Sequence, residues 1–168
     1  LETPDIRFHI QPFSADNASG GPHAFSAFTA SVLQLRPESV GHLKLVSANA
    51  DDHPEIHPNY LATETDQNTI VKGIQIARKI AQFEPLKAHV TEEYQPGHEV
   101  GMDDYDATLN WARNTAVTIY HPTGTCKMGS DPMAVVDHRL RVHGLQGLRV
   151  ADASIMPVIL SLIPIRPS

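Results

Sequence analysis

The sequence lacks several features that would assign it directly to a class of protein. Cys126 is the single cysteine in 168 residues, which excludes an intrachain disulfide and favours a reducing compartment, the cytoplasm. No apolar run approaches the roughly 20 residues that a membrane-spanning helix needs, and the N-terminal residues do not resemble a signal peptide. No G-x-G-x-x-G run is present, so the sequence predicts no dinucleotide-binding unit.

Basic residues are also scarce. Lysine and arginine number 13 against 19 aspartates and glutamates, which gives a formal net charge of −6. This balance argues against nucleic acid or an anionic membrane surface as the main partner, because phosphates require a basic surface. A hydrophobic fraction of 41% and a charged fraction of 19% are typical of a folded domain. We therefore expect one globular domain over residues 1–161.

Hydrophobic periodicity predicts several short strands and two helices. Alternating residues predict strands at 6–10, 25–35, 42–46, 117–120, 140–142 and 148–150, and two prolines predict a loop at 49–60. Apolar residues at helical spacing predict helices at 66–83, with Asp66 as its cap, and at 103–114. The last two strands flank a glycine-bearing turn, which indicates an antiparallel pair. This order predicts an α+β fold with a mostly antiparallel sheet.

A histidine at a predicted strand end is the main catalytic candidate. Residues 120–129 read Tyr-His-Pro-Thr-Gly-Thr-Cys-Lys-Met-Gly, and residues 148–157 read Leu-Arg-Val-Ala-Asp-Ala-Ser-Ile-Met-Pro. Pro122 favours an extended conformation at His121, and Gly124 allows a sharp turn after it. An imidazole presented in this way is suited to act as a general base. The alternative is a histidine that only hydrogen-bonds a backbone group at a turn.

These two segments resemble the C-terminal signature of the glucose–methanol–choline (GMC) family of flavin-dependent alcohol oxidoreductases. Further segments that look like family motifs occur in the family's order at 36–41, 54–61, 73–78, 136–137 and 140–144. The resemblance implies that His121 removes the hydroxyl proton of a small alcohol, choline-like alcohols included, while hydride passes to FAD. It also implies that Asp152 and Ala153 contact the flavin cofactor. The fold it implies is a sheet of about six strands with helices packed on one face.

The same resemblance implies a missing partner, the FAD-binding half of such an enzyme. We therefore expect a fragment that is inactive and does not retain FAD alone, an expectation that the absence of an initiating methionine supports. After Ser161 the family continues with a second catalytic residue, whereas residues 162–168 read Leu-Ile-Pro-Ile-Arg-Pro-Ser. We hypothesise that 162–168 is a divergent, out-of-frame tail. An apolar surface near Ile155, Val158 and Ile159 would then be exposed and favour self-association.

Other residue groups leave alternatives open. The metal-capable residues of the 51–57 segment are Asp51, Asp52, His53, Glu55 and His57. The intervening proline argues against a helical ligand pair, so no metal site is predicted and a structural loop is the preferred interpretation. Cys126 lies beside a lysine that could activate a thiol, but a buried, inert cysteine is the simpler interpretation. The rival functions are a non-catalytic remnant of a truncated gene and a metal-dependent hydrolase.

Overall fold

The computed structural model describes residues 4–16 and 21–160. The elements in chain order are β1 (Ile6–Gln11), β2 (Thr29–Gln34), β3 (His42–Lys44), β4 (Glu55–His57), α1 (Glu64–Ala81) and α2 (Tyr105–Thr115), with 3₁₀ turns at Leu86–His89 and Ala153–Ile155. Two compact units result, the first from Leu1–Gln34 with Glu64–Ala116 and the second from Leu35–Thr63 with Val117–Ser168. The hypothesis about residues 162–168 falls outside the described residues.

The first unit is a β-hairpin covered by helices. Strands β1 and β2 pair antiparallel, and helix α1 packs against them. Gly73 makes the close approach possible, because a Cβ atom there would overlap a Val32 methyl group and lie 3.3 Å from the Ile6 Cδ1 atom. Val71 and Ile74 of α1 are buried on the same side. The helical stripe predicted from the sequence is therefore the packing face of α1.

Both predicted helices are confirmed, with small differences at their ends. Helix α1 begins two residues before the predicted start, so Asp66 lies in its first turn and the prediction that Asp66 caps the helix is wrong. Asp66 is instead buried and accepts a hydrogen bond from the Gln34 side-chain amide at 2.7 Å. Asp104 caps α2 by accepting a hydrogen bond from the Ala107 N–H at 2.9 Å.

The second unit contains the hairpin β3–β4 and a network of turns. The loop prediction for 49–60 is wrong at β4, which lies between two prolines and is only three residues long. The predicted strands at 117–120, 140–142 and 148–150 do not form as strands within the described residues. The positive φ angles of Tyr120 and Leu140, 62° and 66°, interrupt the extended backbone there. A single antiparallel bridge joins Arg141 to Arg149, so only the antiparallel pairing of the last two segments is confirmed.

The described part of the chain therefore has an α+β fold with antiparallel strand pairing. It contains two helices and two separate two-stranded sheets, so the sheet of about six strands is not confirmed. Within residues 4–16 and 21–160, neither helix combines the length and the apolar character needed to cross a membrane.

Candidate active site

His121 lies on an exposed segment of the second unit. The preceding residue, Tyr120, has a left-handed backbone, and its N–H donates a hydrogen bond to the Thr118 hydroxyl oxygen at 3.0 Å. Pro122 follows at once and fixes the direction in which the chain leaves. The imidazole of His121 is exposed and makes no hydrogen bond with any residue of the described ranges. Its nitrogens are therefore accessible to a group supplied from outside these residues.

The loop that follows His121 is tied to the segment that contains Asp152. The Cys126 N–H donates to the Ser154 carbonyl oxygen at 3.0 Å, and the Met128 N–H donates to the Ile155 carbonyl oxygen at 2.7 Å. Gly124 adopts a φ of 87°, a conformation that favours glycine and allows the turn between His121 and these bonds. The structure therefore brings together the two sequence segments that carry the candidate site residues.

Asp152 and Ala153 lie exposed at the start of a 3₁₀ turn. The Asp152 carboxylate accepts a hydrogen bond from the Ser154 N–H at 2.8 Å and caps this turn. Hydrogen bonding from Ser154 holds the pKa of the Asp152 carboxyl below its usual range, so the group is ionised at neutral pH. Asp152 thus fixes the backbone beside Ala153 and adds a negative charge there.

Asp137 has a structural role in this unit. Its carboxylate accepts hydrogen bonds from the N–H groups of Arg139 and Arg141 at 2.8 and 3.0 Å. The Arg141 guanidinium also contacts the Oδ2 atom of Asp137, with its Nε atom at 2.8 Å and its Nη2 atom at 2.6 Å. The guanidinium holds the pKa of Asp137 far below its usual range. This charged pair closes the turn that precedes the Arg141–Arg149 bridge.

His143 is also structural. Its N–H donates to the Val135 carbonyl oxygen at 3.0 Å, and its Nε2 atom lies 3.1 Å from the Gly129 carbonyl oxygen. Because a carbonyl oxygen only accepts, Nε2 is the protonated donor in this contact. His143 and His121 therefore differ: the His143 ring is hydrogen-bonded to the backbone, and the His121 ring is not hydrogen-bonded to any described residue.

The neighbours of Cys126 do not form a thiol-activating site. The Lys127 ammonium group donates to both carboxylate oxygens of Asp131, at 2.9 and 3.0 Å. Lys127, the cationic residue next to Cys126 in sequence, is therefore paired with Asp131 rather than with the thiol. The Cys126 side chain itself is half-buried. The pKa of Asp131 is lowered mainly by its hydrogen bond with Lys127.

The acidic and histidine residues of the 51–57 segment divide between two places. Asp52 accepts hydrogen bonds from the Ser47 hydroxyl group at 2.6 Å and the Asn49 amide at 3.2 Å, which close a loop. Glu55 and His57 belong to β4 instead. Among the described residues, no three histidine, cysteine or carboxylate side chains are grouped so that they could hold a metal ion together.

The apolar residues named near the candidate site differ in exposure. Val158 is 65% exposed, whereas Ile155 and Ile159 are half-buried. Self-association through this surface stays a prediction.

Sequence reasoning missed how Ser39 and Asn59 act. The Ser39 hydroxyl oxygen accepts hydrogen bonds from the N–H groups of Ala62 and Thr63, at 2.9 and 3.3 Å. The Asn59 side-chain amide donates to the Val40 carbonyl oxygen at 3.0 Å. The bond from Asn59 joins two of the segments that look like family motifs, 36–41 and 54–61, and the bonds to Ser39 join the first of them to the two residues that follow the second. The sequence carries no signal for them beyond the presence of serine and asparagine, which often hydrogen-bond backbone groups in turns.

Comparison with known proteins identifies a family. A sequence model described as GMC oxidoreductase matches residues 37–165. Mitochondrial choline dehydrogenase of Mus musculus is 45% identical over 161 residues, which are 94% of this chain and 26% of that protein. Alcohol dehydrogenase [acceptor] of Pseudomonas putida is 40% identical over 156 residues, which are 93% of this chain and 28% of that protein. The chain therefore spans about a quarter of the length of these relatives.

A solved structure shares the fold. Pyridoxine 4-oxidase from Mesorbium loti superposes with a TM-score of 0.82 at 30% sequence identity, and the match covers 94% of this chain and 31% of that protein. The likeness therefore extends over nearly the whole chain.

Proposed function

The chain belongs to the GMC oxidoreductase family, and we propose that it is the substrate-side domain of an FAD-dependent enzyme that oxidises alcohols. The relatives named as choline dehydrogenase and alcohol dehydrogenase support a substrate with a CH–OH group, choline-like alcohols included. The observation that carries the proposal is the exposed imidazole of His121, on a loop hydrogen-bonded to the turn of Asp152 and Ala153.

In this proposal His121 is the proton acceptor. One imidazole nitrogen takes the hydroxyl proton of the alcohol, which makes the oxygen electron-rich and prepares the adjacent carbon for oxidation. A neutral imidazole can do this near neutral pH, whereas the half-buried Cys126 and the paired Asp137 cannot. Tyr120 and Pro122 constrain the backbone on both sides of His121, which limits the directions in which its side chain can leave the chain.

Asp152 and Ala153 fit contact with a flavin, but nothing in the described residues fits recognition of its phosphates. They form an exposed, hydrogen-bonded turn that could lie against one edge of a ring system. A phosphate site needs a strand, a glycine-rich turn and a helix in succession, and no such unit occurs in residues 4–16 and 21–160. When bound, FAD supplies the acceptor for the hydrogen and electrons that leave the alcohol carbon.

We further propose that the chain works together with an FAD-binding half and is inactive without it. The relatives are about four times as long as the segment they share with this chain. The sheet of about six strands then belongs to the whole enzyme, with strands added by the part of the relatives that this chain does not cover. The cytoplasm remains the proposed compartment, because the single cysteine favours a reducing one.

Retention of flavin tests whether FAD is held by the proposed FAD-binding half and not by this chain. The 168-residue chain is mixed with excess FAD, desalted, and examined by visible absorbance. We expect no flavin band, because the phosphate-binding unit is missing. A near-stoichiometric band would overturn the two-part proposal. A protein that extends this chain with an FAD-binding half should retain FAD and reduce it when choline or a simple alcohol is added. Retention without reduction by any such substrate would favour a non-catalytic remnant.

A further inference from the structure

Two histidines face each other across the hairpin β3–β4. His42 and His57 are direct partners in the antiparallel register. Their imidazole rings are stacked, with centroids 4.5 Å apart and planes inclined by 18°. Both residues are exposed, and the His42 imidazole has no hydrogen-bond partner among the described residues. The fold therefore places two accessible imidazoles side by side on a strand pair.

The register that aligns them is held by Gly41. A Cβ atom at this position would overlap the His57 carbonyl oxygen and lie 2.7 Å from the Pro58 carbonyl oxygen. Because side chains alternate along a strand, Leu43 and Ile56 lie on the opposite face from the two histidines. The pairing of β3 with β4 therefore places His42 and His57 on the same face of the hairpin.

A carboxylate lies next to one of the two rings. The Nε2 atom of His57 is 3.4 Å from Glu55 Oε2 on the same strand. When Nε2 carries the proton in this contact, Nδ1 of His57 has a free lone pair. Metal-binding histidines commonly donate their other ring N–H to a carboxylate, which orients the ring and makes it a stronger ligand.

We propose that His42 and His57 form a binding site for Zn²⁺, with Glu55 as the residue that positions His57. Two tetrahedral ligands at bond lengths of about 2.05 Å have nitrogens about 3.3 Å apart. The His42 and His57 rings, with centroids 4.5 Å apart, lie close to that separation. In this proposal Glu55 contacts the His57 ring rather than the metal, and water completes the coordination, since no three described side chains are grouped to bind a metal ion together.

The surroundings favour a borderline divalent cation. Imidazole nitrogen selects Zn²⁺, Ni²⁺ and Cu²⁺, whereas Mg²⁺ and Ca²⁺ prefer oxygen ligands. The chain carries a net charge of −6, which attracts cations. Lys44 is the cross-strand partner of Glu55, and its positive charge opposes this attraction. A bound ion would link two strands that are joined by only three residue pairs.

Zn²⁺ titration of the 168-residue chain tests the proposal. Binding is followed by calorimetry and by the NMR signals of the histidine rings, for the original chain and four variants. His42→Phe and His57→Phe keep an aromatic stack but remove one ligand each, and we expect Zn²⁺ binding at least about tenfold weaker in both. Glu55→Gln should weaken binding about tenfold, because it removes the ring-orienting carboxylate. His53→Asn, in the loop before β4, is the matched control and should bind like the original chain.

The variants distinguish this site from general binding by the ten histidines of the chain. Equal Zn²⁺ affinity in the original chain and in both phenylalanine variants would overturn the proposal. So would ring signals of other histidines that shift at lower Zn²⁺ concentration than those of His42 and His57. An unchanged affinity in Glu55→Gln would remove Glu55 from the site.

Discussion

Replacing His121 with alanine should separate activity from stability. The imidazole is exposed and makes no hydrogen bond with the described residues. Its removal therefore leaves no buried polar group without a hydrogen-bond partner. Such surface substitutions change the free energy of unfolding by less than about 0.5 kcal/mol. A positioned general base contributes about 10²- to 10⁴-fold to a rate, or about 2.7–5.5 kcal/mol of activation free energy. We expect a loss of kcat in that range with an almost unchanged unfolding midpoint.

His143→Ala is the matched control, because it shortens another exposed histidine of the same unit. It removes the contact between the ring Nε2 atom and the Gly129 carbonyl oxygen. The expected loss is about 1 kcal/mol in the free energy of unfolding, the usual net contribution of one hydrogen bond. The expected kcat stays within about threefold of the original, since this ring is already engaged in the fold. The two substitutions should therefore have opposite profiles.

The assay uses a full-length protein that contains this chain together with an FAD-binding half. Anaerobic mixing with choline or an alcohol gives the rate of flavin reduction, and urea titration gives the free energy of unfolding. His121→Asn adds a third comparison, because asparagine can hydrogen-bond a hydroxyl group but cannot accept its proton. Equal kcat losses at His121 and His143, or full activity in His121→Asn, would refute the assignment of His121 as the base.

Three further substitutions test the fold of the second unit. Val136 is fully buried, so Val136→Ala should lower the free energy of unfolding by about 2–3 kcal/mol in urea titration. Asp137→Asn should destabilise the chain at pH 7. Because Arg141 lowers the folded pKa of Asp137 below the value of about 3.9 that is usual for aspartate, its stabilisation is complete above that pH and disappears as the pH falls further. The stability difference from the original chain should therefore shrink in unfolding experiments below about pH 4. Gly41→Ala should broaden or shift the NMR signals of the β3–β4 hairpin, since its Cβ atom would overlap the His57 carbonyl oxygen.

The sequence predicted helices better than strands. The apolar stripe of α1 repeats over 18 residues, so its period is clear and its ends are displaced by only two residues. The strand β4 has three residues between two prolines, too few for a period to be read. Asp66 fits a local rule for helix caps, but a tertiary hydrogen bond with Gln34, 32 residues away, determines its place instead. Local patterns carry no information about such a partner.

The sequence predicted the turn after His121 but not the contacts that hold it. Gly124 predicted a sharp turn after His121, and its φ of 87° agrees with that prediction, whereas the strand predicted before His121 does not form. The link from this loop to the turn of Asp152 consists of backbone hydrogen bonds, such as Cys126 N–H to the Ser154 carbonyl oxygen. Backbone groups are the same in every residue, so composition and spacing could not reveal this link.

The partners of the signature residues distinguish structural from chemical roles. Asp137 is paired with Arg141, Asp152 caps a turn, and His143 contacts a carbonyl oxygen, so each satisfies its hydrogen bonds within the described residues. A residue retained only for the fold would be expected to show such a partner, because a polar side chain without one contributes little to stability. His121 has none among these residues although its loop is hydrogen-bonded on the C-terminal side. Its imidazole is therefore free to accept a proton from a substrate, which is what the proposed role of general base needs.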